Sequence, residues 1–213
     1  MKIGKQEVYD AEHFRNFTPR ESGILADLEK EAAEKDIPIV GPYVGKILWT
    51  LVKLIDAKNV LELGTATGYS AIWIAKALSG TGGGLISVEW DKEIAARARA
   101  NIARAGVSCG VEVITGDARD VLFTLKPGQF DMIFQDVDKE MYLDLLAHCE
   151  RVLRPGGLLV FDNTAFRSAG DFLSRSLLHP NLEGFHLFGF LPEHDPEYDA
   201  LTFLVKKRNS QGP

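Results

Sequence analysis

Residues 59–78, NVLELGTATGYSAIWIAKAL, contain the pattern that decides the fold. NVLELG is a short apolar run typical of a buried strand, and YSAIWIAKAL continues with apolar residues at helical spacing. Gly64 and Gly68 lie between the two, where glycine permits a tight turn and lets a ligand approach the backbone. This strand, turn and helix predict the first unit of an open α/β sheet, which binds ligands at the carboxyl ends of its strands.

Four more short apolar runs follow, and most are separated by helical patterns. They are LISVEW (85–90), VEVITGD (111–117), FDMIFQD (130–136) and GGLLVFDN (156–163), the last after a turn at residues 154–157. Such alternation predicts parallel strands with helices on both faces. Two further strands near the C-terminus lie close together in the sequence, and we expect them to pair antiparallel. The predicted fold is an open, seven-stranded, mostly parallel sheet within residues 57–207.

Two helices are predicted before the first strand. Thr18 with Pro19 and Glu21 matches a capping box, so a helix should run from about Pro19 to Lys35. A second helix over residues 43–56 has a continuous apolar face that needs a partner. We expect residues 1–56 to cover the site or to form a dimer interface. The whole chain is predicted to be one domain, with residues 208–213 as a tail.

Composition excludes several function classes. The 213 residues carry a formal net charge of −6, which gives no basic field for a phosphate backbone, so no nucleic-acid partner is expected. Cys109 and Cys149 form no CxxC motif, which favours a reduced compartment. No apolar run approaches the length that spans a bilayer, and the N-terminus lacks the apolar core of a signal peptide. A cytoplasmic protein without a membrane partner is predicted.

The strand ends predict a nucleoside ligand. Glu89 ends the second strand, 25 residues after Gly64, where an acid can accept hydrogen bonds from ribose hydroxyls. The turn lacks the GxGxxG spacing and the basic residue that a pyrophosphate needs, so a ribose without phosphates fits better than NAD. Ser70 could add a hydroxyl. Asp117 could contact an adenine edge or make an ordinary Asx turn, and Trp90 could stack on the adenine or simply pack.

ELGTATGYSAIWIA, ISVEWD, GDA and FDMIFQDVDKEMY, in this order, resemble the Rossmann-like class I methyltransferases that use S-adenosylmethionine. FQDVDKEMY followed by VFDNTAF is similar to the cation-dependent O-methyltransferases, which include catechol and caffeoyl-CoA O-methyltransferases. The resemblance covers residues 53–166. It implies a homodimer, a divalent metal and a lysine that acts as general base. The implied metal ligands are Asp136, Asp162 and Asn163, and the implied base is Lys139. Together with the glycine turn, the predicted cofactor contacts are Glu62, Gly64, Thr65, Gly68, Ser70, Glu89, Trp90, Asp117, Ala118, Asp136 and Asp138.

The residues themselves agree with this metal site. Asp136 and the pair Asp162-Asn163 follow two strands that become neighbours if the connecting helix makes a right-handed crossover. Oxygen ligands of this kind suit Mg²⁺, Mn²⁺ or Ca²⁺ rather than zinc. The alternatives are a turn or helix cap for Asp162-Asn163 and a solvated lysine for Lys139.

We therefore predict a metal-dependent O-methyltransferase that acts on a catechol-like hydroxyl of a small aromatic acceptor. The alternatives are an NAD-dependent oxidoreductase and a non-catalytic S-adenosylmethionine-binding protein. Acceptor choice should depend on IPIVGPY (37–43) and LPEHDPEYDALT (191–202). Acids in the second segment would repel coenzyme A phosphates, although a solvated hairpin tip also explains them. His194, in this segment, has no partner at motif spacing, and a structural or surface role is expected for it.

Overall fold

Seven strands form a single sheet in the computed structural model, which describes residues 9–208. The strands are β1 (Asn59–Leu63), β2 (Gly84–Glu89), β3 (Gly110–Thr115), β4 (Phe130–Gln135), β5 (Leu153–Phe161), β6 (Leu182–Phe190) and β7 (Tyr198–Lys206). Their order is β3-β2-β1-β4-β5-β7-β6. Strands β1 to β5 pair in parallel, and β7 lies antiparallel between β5 and β6. The predicted sheet and its antiparallel C-terminal pair are confirmed. The predicted tail lies outside the described residues, except for Arg208.

Helices cover both faces of the sheet. They are α1 (Ala11–Arg15), α2 (Ile24–Lys35), α3 (Gly41–Leu54), α4 (Tyr69–Leu78), α5 (Lys92–Ala105), α6 (Ala118–Thr124), α7 (Tyr142–Val152) and α8 (Phe172–Ser176). One apolar cluster joins α2, α3, α4 and part of α5 to one face, and a second joins α6, α7 and α8 to the other. Successive residues of a strand point to opposite faces, so Val60 belongs to the first cluster and Leu61 to the second.

The predicted capping box at Thr18 is wrong. Helix α2 begins at Ile24, after Gly23 at a φ of 68°, and no side chain caps it. Thr18 instead ends the turn that follows α1, where its backbone N–H donates to the Arg15 carbonyl. Glu21, the acid that the box requires, forms an ion pair with Lys76 on α4. Tertiary contacts have therefore replaced the local cap that the sequence pattern suggests.

Helix α3 finds the partner for its apolar face within the chain, because it packs along α4. Val44, Leu48 and Val52 are fully buried there. Gly45 permits the close approach, since a Cβ at this position would overlap the Trp73 ring. None of the described helices combines the length and the apolar composition needed to cross a bilayer.

The strand order reverses between the neighbouring strands β1 and β4. From β1 the chain continues to β2 on one side, and from β4 it continues to β5 on the other. In open α/β sheets the carboxyl ends at such a reversal border the ligand crevice. Register brings Leu63 opposite Gln135, and Gln135 opposite Phe161. The residues that follow these three strand ends therefore lie in a row.

Candidate active site

Gly64 begins the turn after β1 and lies directly against β4. Its φ is 91°, a conformation that favours glycine, and a Cβ would overlap the backbone carbonyl of Asp136. The Asp136 N–H donates to the Leu63 carbonyl at 2.8 Å, which fixes this close approach. The turn, Asp136 and residues 38–40 together line a crevice at the carboxyl edge of the sheet. The three residues before α3 therefore border this crevice, and the two roles proposed for residues 1–56 stay predictions.

We expect Gly64→Ala to destabilise the fold by more than about 3 kcal/mol, because it combines a left-handed φ with a backbone overlap. Gly80→Ala is the matched control. Gly80 has a similar φ of 78°, but no atom lies within 4 Å of the added Cβ. The control should cost only about 1 kcal/mol, the left-handed penalty alone. Urea unfolding of both variants measures the difference, and equal losses would show that the contact with Asp136 is unimportant.

Glu62 lies at the end of β1, fully buried beneath the crevice. The Ser87 hydroxyl donates to one carboxylate oxygen, and the other, Oε1, has no partner among the described residues. Burial raises the pKa of Glu62 to about 7, although the nearby hydroxyls of Ser70 and Ser87 oppose the rise. Thr65 bonds to Ser87 in the same buried group. An unpaired buried carboxylate oxygen at this position suits a cationic ligand group such as the ammonium of an amino acid.

The raised pKa of Glu62 predicts a pH dependence of stability. The unfolded glutamate releases its proton near pH 4.5 and the folded one near 7, so the stability of the wild type falls as pH rises through this interval. Glu62→Gln should not lose stability in this way, because glutamine does not ionise. Denaturant unfolding of the ligand-free proteins should show the variant gaining about 3 kcal/mol on the wild type between pH 4.5 and 8. A difference that does not change with pH would mean that the folded glutamate titrates normally.

Glu89 is the last residue of β2, and Trp90 follows it, at the far side of the glycine turn. The Glu89 carboxylate accepts hydrogen bonds from the backbone N–H groups of Ala66 at 2.9 Å and of Asp91 at 3.1 Å. Two bonds leave lone pairs free on both oxygens, which is compatible with the predicted ribose contact. The Trp90 side chain is 78% exposed, so it does not pack in the hydrophobic core. Because Trp90 lies next to Glu89, stacking of its ring on the adenine stays a prediction.

Asp117 and Ala118 connect β3 to α6. Asp117 is the N-cap of α6, and its side chain accepts the Arg119 N–H at 2.7 Å. Asp117 therefore makes the ordinary Asx turn, which was one of its two predicted roles. An adenine contact would have to use Oδ2, the other carboxylate oxygen. Ala118 is buried at the first position of the helix.

Asp136 follows β4, and Lys139 lies one short turn beyond it. The Lys139 ammonium is 2.6 Å from Asp136 Oδ1, and both side chains are largely buried. Lys139 begins a 3-10 turn over Lys139–Met141, so its side chain is directed back over the strand end rather than into solvent. The solvated alternative for Lys139 is therefore wrong. Asp138, between them, is exposed at the same edge.

Asp162 follows β5, beside Asp136. The Tyr142 hydroxyl donates to the backbone carbonyls of Gln135 and Asp162, which ties the two strand ends together. Asp162 is 1% exposed, and its Oδ1 has no hydrogen-bond partner among the described residues. Burial raises its pKa to about 7; the His194 ring opposes this rise, and Asp136 adds to it. A buried carboxylate without a donor is costly, which makes this oxygen a fitting ligand for a cation.

Asn163 adopts a left-handed φ of 48°. The nitrogen of its side-chain amide is held by hydrogen bonds. The Nδ2 group donates to Asp199 Oδ2 at 2.6 Å and to the Asp195 carbonyl at 3.2 Å. Because the amide nitrogen is committed to these acceptors, the amide oxygen is left for another partner. Asp136, Asp162 and Asn163 thus come together at one edge, and their oxygen donors fit Mg²⁺, Mn²⁺ or Ca²⁺.

His194 and Asp199 complete the site, and the sequence did not reveal them. Both are almost fully buried, and His194 Nε2 lies 3.4 Å from Asp162 Oδ1 and 3.2 Å from Asp199 Oδ2. His194 belongs to the connection between β6 and β7, which folds back over the end of β5, and Asp199 is the second residue of β7. The interpretation of this segment as a solvated hairpin tip is wrong for these two residues. Only the polar composition of HDPEYD could have signalled them, because no local spacing links them to Asp162.

Two acids of the same connection are paired with the N-terminal region. Glu197 pairs with Arg15, and Glu193 with Arg20 at 2.6 Å. Their charges are therefore largely neutralised, and the predicted repulsion of coenzyme A phosphates loses its main support. The pairs instead fasten the connection to α1 and to the link between α1 and α2.

Comparisons with known proteins show which family and which solved structures this chain resembles. The family model described as O-methyltransferase matches residues 15–171. A catechol O-methyltransferase of Niastella koreensis is 40% identical over 185 residues, which cover 84% of this chain and 82% of the relative. Among solved structures, the O-methyltransferase TomG from Streptomyces achromogenes, involved in tomaymycin synthesis and bound to S-adenosylmethionine, superposes with a TM-score of 0.81 at 28% identity. That match covers 93% of this chain and 96% of TomG. A Bacillus cereus O-methyltransferase in complex with S-adenosylhomocysteine reaches 0.80, also at 28% identity, over 92% and 96% of the two chains.

Proposed function

The chain belongs to the O-methyltransferase family and uses S-adenosylmethionine, and we propose that it methylates one hydroxyl of a catechol-like aromatic acceptor with the help of a divalent cation. One observation carries the proposal: Asp136 and Asp162 lie side by side beneath the cofactor crevice, and Asp162 has a buried oxygen without a partner. The family membership sets aside the NAD-dependent oxidoreductase alternative.

Positioning is the first task of these residues. Methyl transfer from a sulfonium is an in-line displacement, and the acceptor oxygen must be held close to the methyl carbon. The glycine turn would seat the cofactor along the β1 edge, with Glu89 on the ribose and Glu62 beneath it. Asp136 follows the neighbouring strand β4 and borders the same crevice. Acceptor and methyl donor would therefore meet above the ends of β1, β4 and β5.

Activation of the acceptor is the second task. A phenol has a pKa near 10 and is mostly neutral at physiological pH. Held by Asp136, Asp162 and Asn163, a divalent cation would lower that pKa and stabilise the phenolate. We propose Lys139 as the group that removes the proton, because its side chain lies at the strand end next to Asp136. A vicinal pair of hydroxyls offers two oxygens to one cation, which favours catechols, and the Niastella koreensis relative carries that name.

A methyl-transfer assay in which Mg²⁺ is removed and restored tests the function. Purified protein, S-adenosylmethionine and catechol should give a monomethylated product in the presence of Mg²⁺, as measured by mass spectrometry. EDTA should reduce the rate by more than about tenfold, and added Mg²⁺ should restore it. Turnover that EDTA leaves unchanged would contradict the metal dependence. Binding of S-adenosylhomocysteine without turnover of any catechol would instead favour the non-catalytic alternative.

We also propose that the chain forms a homodimer in the cytoplasm. Strand β6 is an edge of the sheet, and it exposes the large apolar side chains of Phe185, Leu187 and Phe188. Exposed apolar edge strands tend to be covered by another chain. Light scattering should give twice the chain mass of 23.5 kDa, and a monomeric mass at micromolar concentration would contradict the dimer.

A further inference from the structure

Tyr69 joins the end of the glycine turn to a helix that lies much earlier in the chain. It is the first residue of α4, and it lines the crevice although it is only 2% exposed. Its hydroxyl donates to Glu29 Oε1 on α2 at 2.6 Å. A buried tyrosine hydroxyl needs such a partner, because leaving its hydrogen bond unmade is costly. The bond therefore links α2 to the wall of the crevice.

The bond between Tyr69 and Glu29 is charge-assisted. An ionised carboxylate only accepts, so the Tyr69 hydroxyl is the donor. Burial and the neighbouring Glu29 raise the pKa of Tyr69, so the hydroxyl keeps its proton at physiological pH. Burial also raises the pKa of Glu29, and the Tyr69 hydroxyl opposes that rise. A hydroxyl that donates to a carboxylate makes a shorter and stronger bond than two neutral groups do, and the 2.6 Å separation agrees with this.

Glu29 depends on this donor. The nearby Arg20 forms its ion pair with Glu193 instead. In the part of the chain that the structure describes, the Tyr69 hydroxyl is the one hydrogen-bond donor to Glu29. Removal of the hydroxyl would leave a half-buried carboxylate without a donor from the protein, which is unfavourable. The two residues therefore stabilise each other's positions.

Helix α2 leads directly to the crevice. Residues 38–40 follow this helix in the chain and line the crevice. Polar links from α2 to α5, such as the ion pair of Asp27 with Arg104 at 2.9 Å, are exposed, and exposed ion pairs contribute little to stability. The Tyr69 hydroxyl is buried, so its bond to Glu29 is the better anchor for α2 and for the residues that follow it.

We propose that Glu29 is a positioning residue for S-adenosylmethionine, because it accepts the Tyr69 hydroxyl and so keeps residues 38–40 against the glycine turn. Without the bond, α2 and these residues would separate from the turn more often. The fraction of molecules with a formed crevice would fall, and the apparent affinity for the cofactor would fall with it. This inference rests on the proposed function only in that the cofactor binds along the glycine turn. It requires neither the cation nor a catechol acceptor.

Calorimetry with S-adenosylhomocysteine tests the proposal. Tyr69→Phe removes the donor and Glu29→Met removes the acceptor, and each should weaken binding by about tenfold. Glu29→Gln keeps an accepting oxygen on a side chain of the same length, so it should stay within about threefold of the wild type. The double variant Tyr69→Phe/Glu29→Met should bind no more weakly than either single variant, because both changes remove the same bond. Glu34→Met is the matched control, since Glu34 is an exposed acid on the same helix, and it should bind like the wild type.

Hydrogen exchange of the ligand-free proteins tests the position of the segment before α3. The backbone amides of Ile39 and Val40 should exchange faster in Tyr69→Phe and Glu29→Met than in the wild type. They should exchange at the wild-type rate in Glu29→Gln and Glu34→Met. Unchanged exchange in all variants would overturn the proposal, because the bond would then not hold these residues.

The outcomes separate this inference from a merely structural role and from the proposed function. A Tyr69→Phe variant that melts earlier but binds S-adenosylhomocysteine normally would overturn the inference and leave the proposed function intact. Equal weakening in Glu29→Gln and Glu29→Met would also overturn it, because the accepting oxygen would then be unimportant. If Glu29→Met does not fold, Tyr69→Phe, which removes a single oxygen atom, decides alone. Wild-type protein that does not bind S-adenosylhomocysteine would overturn both this inference and the cofactor position in the proposed function.

Discussion

Asp162→Ala should reduce kcat/KM for methyl transfer to catechol by at least about 10³-fold, which corresponds to about 4 kcal/mol of transition-state stabilisation. Asp162 is the residue on which the proposed metal site would depend most, because it lies beside Asp136 on one side and His194 on the other. Without its carboxylate, we expect the remaining donors to hold a cation too weakly to compete with water. Affinity for S-adenosylhomocysteine should change by less than about threefold, because the glycine turn and Glu89 are untouched.

Steady-state kinetics and calorimetry measure these two effects, and Asp144→Asn is the matched control. Asp144 is an exposed aspartate on α7 in a surface ion pair with Arg119, so its loss should leave both parameters unchanged. Asp162→Asn separates charge from packing. It should also lose activity, but it should melt no earlier than the wild type at pH 8, where the buried carboxylate is ionised at a cost. Near-normal turnover by either Asp162 variant would contradict the metal site.

Much of the fold could be predicted because its determinants are local. Each strand end carries its own signal, such as the glycines after β1 or the acids after β4 and β5. Parallel order then brings these ends to one edge without further information. For this reason Gly64, Asp136 and Asp162 could be placed at one edge of the sheet before any contact was known. Their roles as ligands and cofactor contacts remain predictions.

The remainder of the site could not be predicted because it depends on contacts distant in sequence. His194 and Val40 are bonded across 154 positions, and Asn163 reaches Asp199 across 36. No periodicity or motif spacing encodes such pairs. The start of α2 was misplaced for the same reason, since Glu21 pairs with Lys76 of another helix instead of capping its own. Segments whose polar residues serve distant partners look like solvated loops when only the sequence is considered.

Lys139→Met should lower kcat for catechol by about 10²–10³-fold, the contribution expected of a positioned general base. The rate of catechol methylation by the variant should rise with pH, because the phenol must then lose its proton without a general base. Metal affinity should not fall, since Asp136 loses a competing ammonium 2.6 Å away. Initial rates over a pH range and Mn²⁺ calorimetry measure both effects. Lys126→Met, at an exposed loop lysine, is the control and should behave like the wild type.

Lys139→Arg distinguishes a base from a counter-charge. The guanidinium keeps the positive charge beside Asp136, but it does not release its proton in proteins. If Lys139 acts as the base, the arginine variant should be about as slow as Lys139→Met. If the lysine only balances the charge of Asp136, arginine should restore most of the activity, and that result would remove Lys139 from the chemistry. The ion pair with Asp136 is compatible with both roles, so the comparison of these two variants is what separates them.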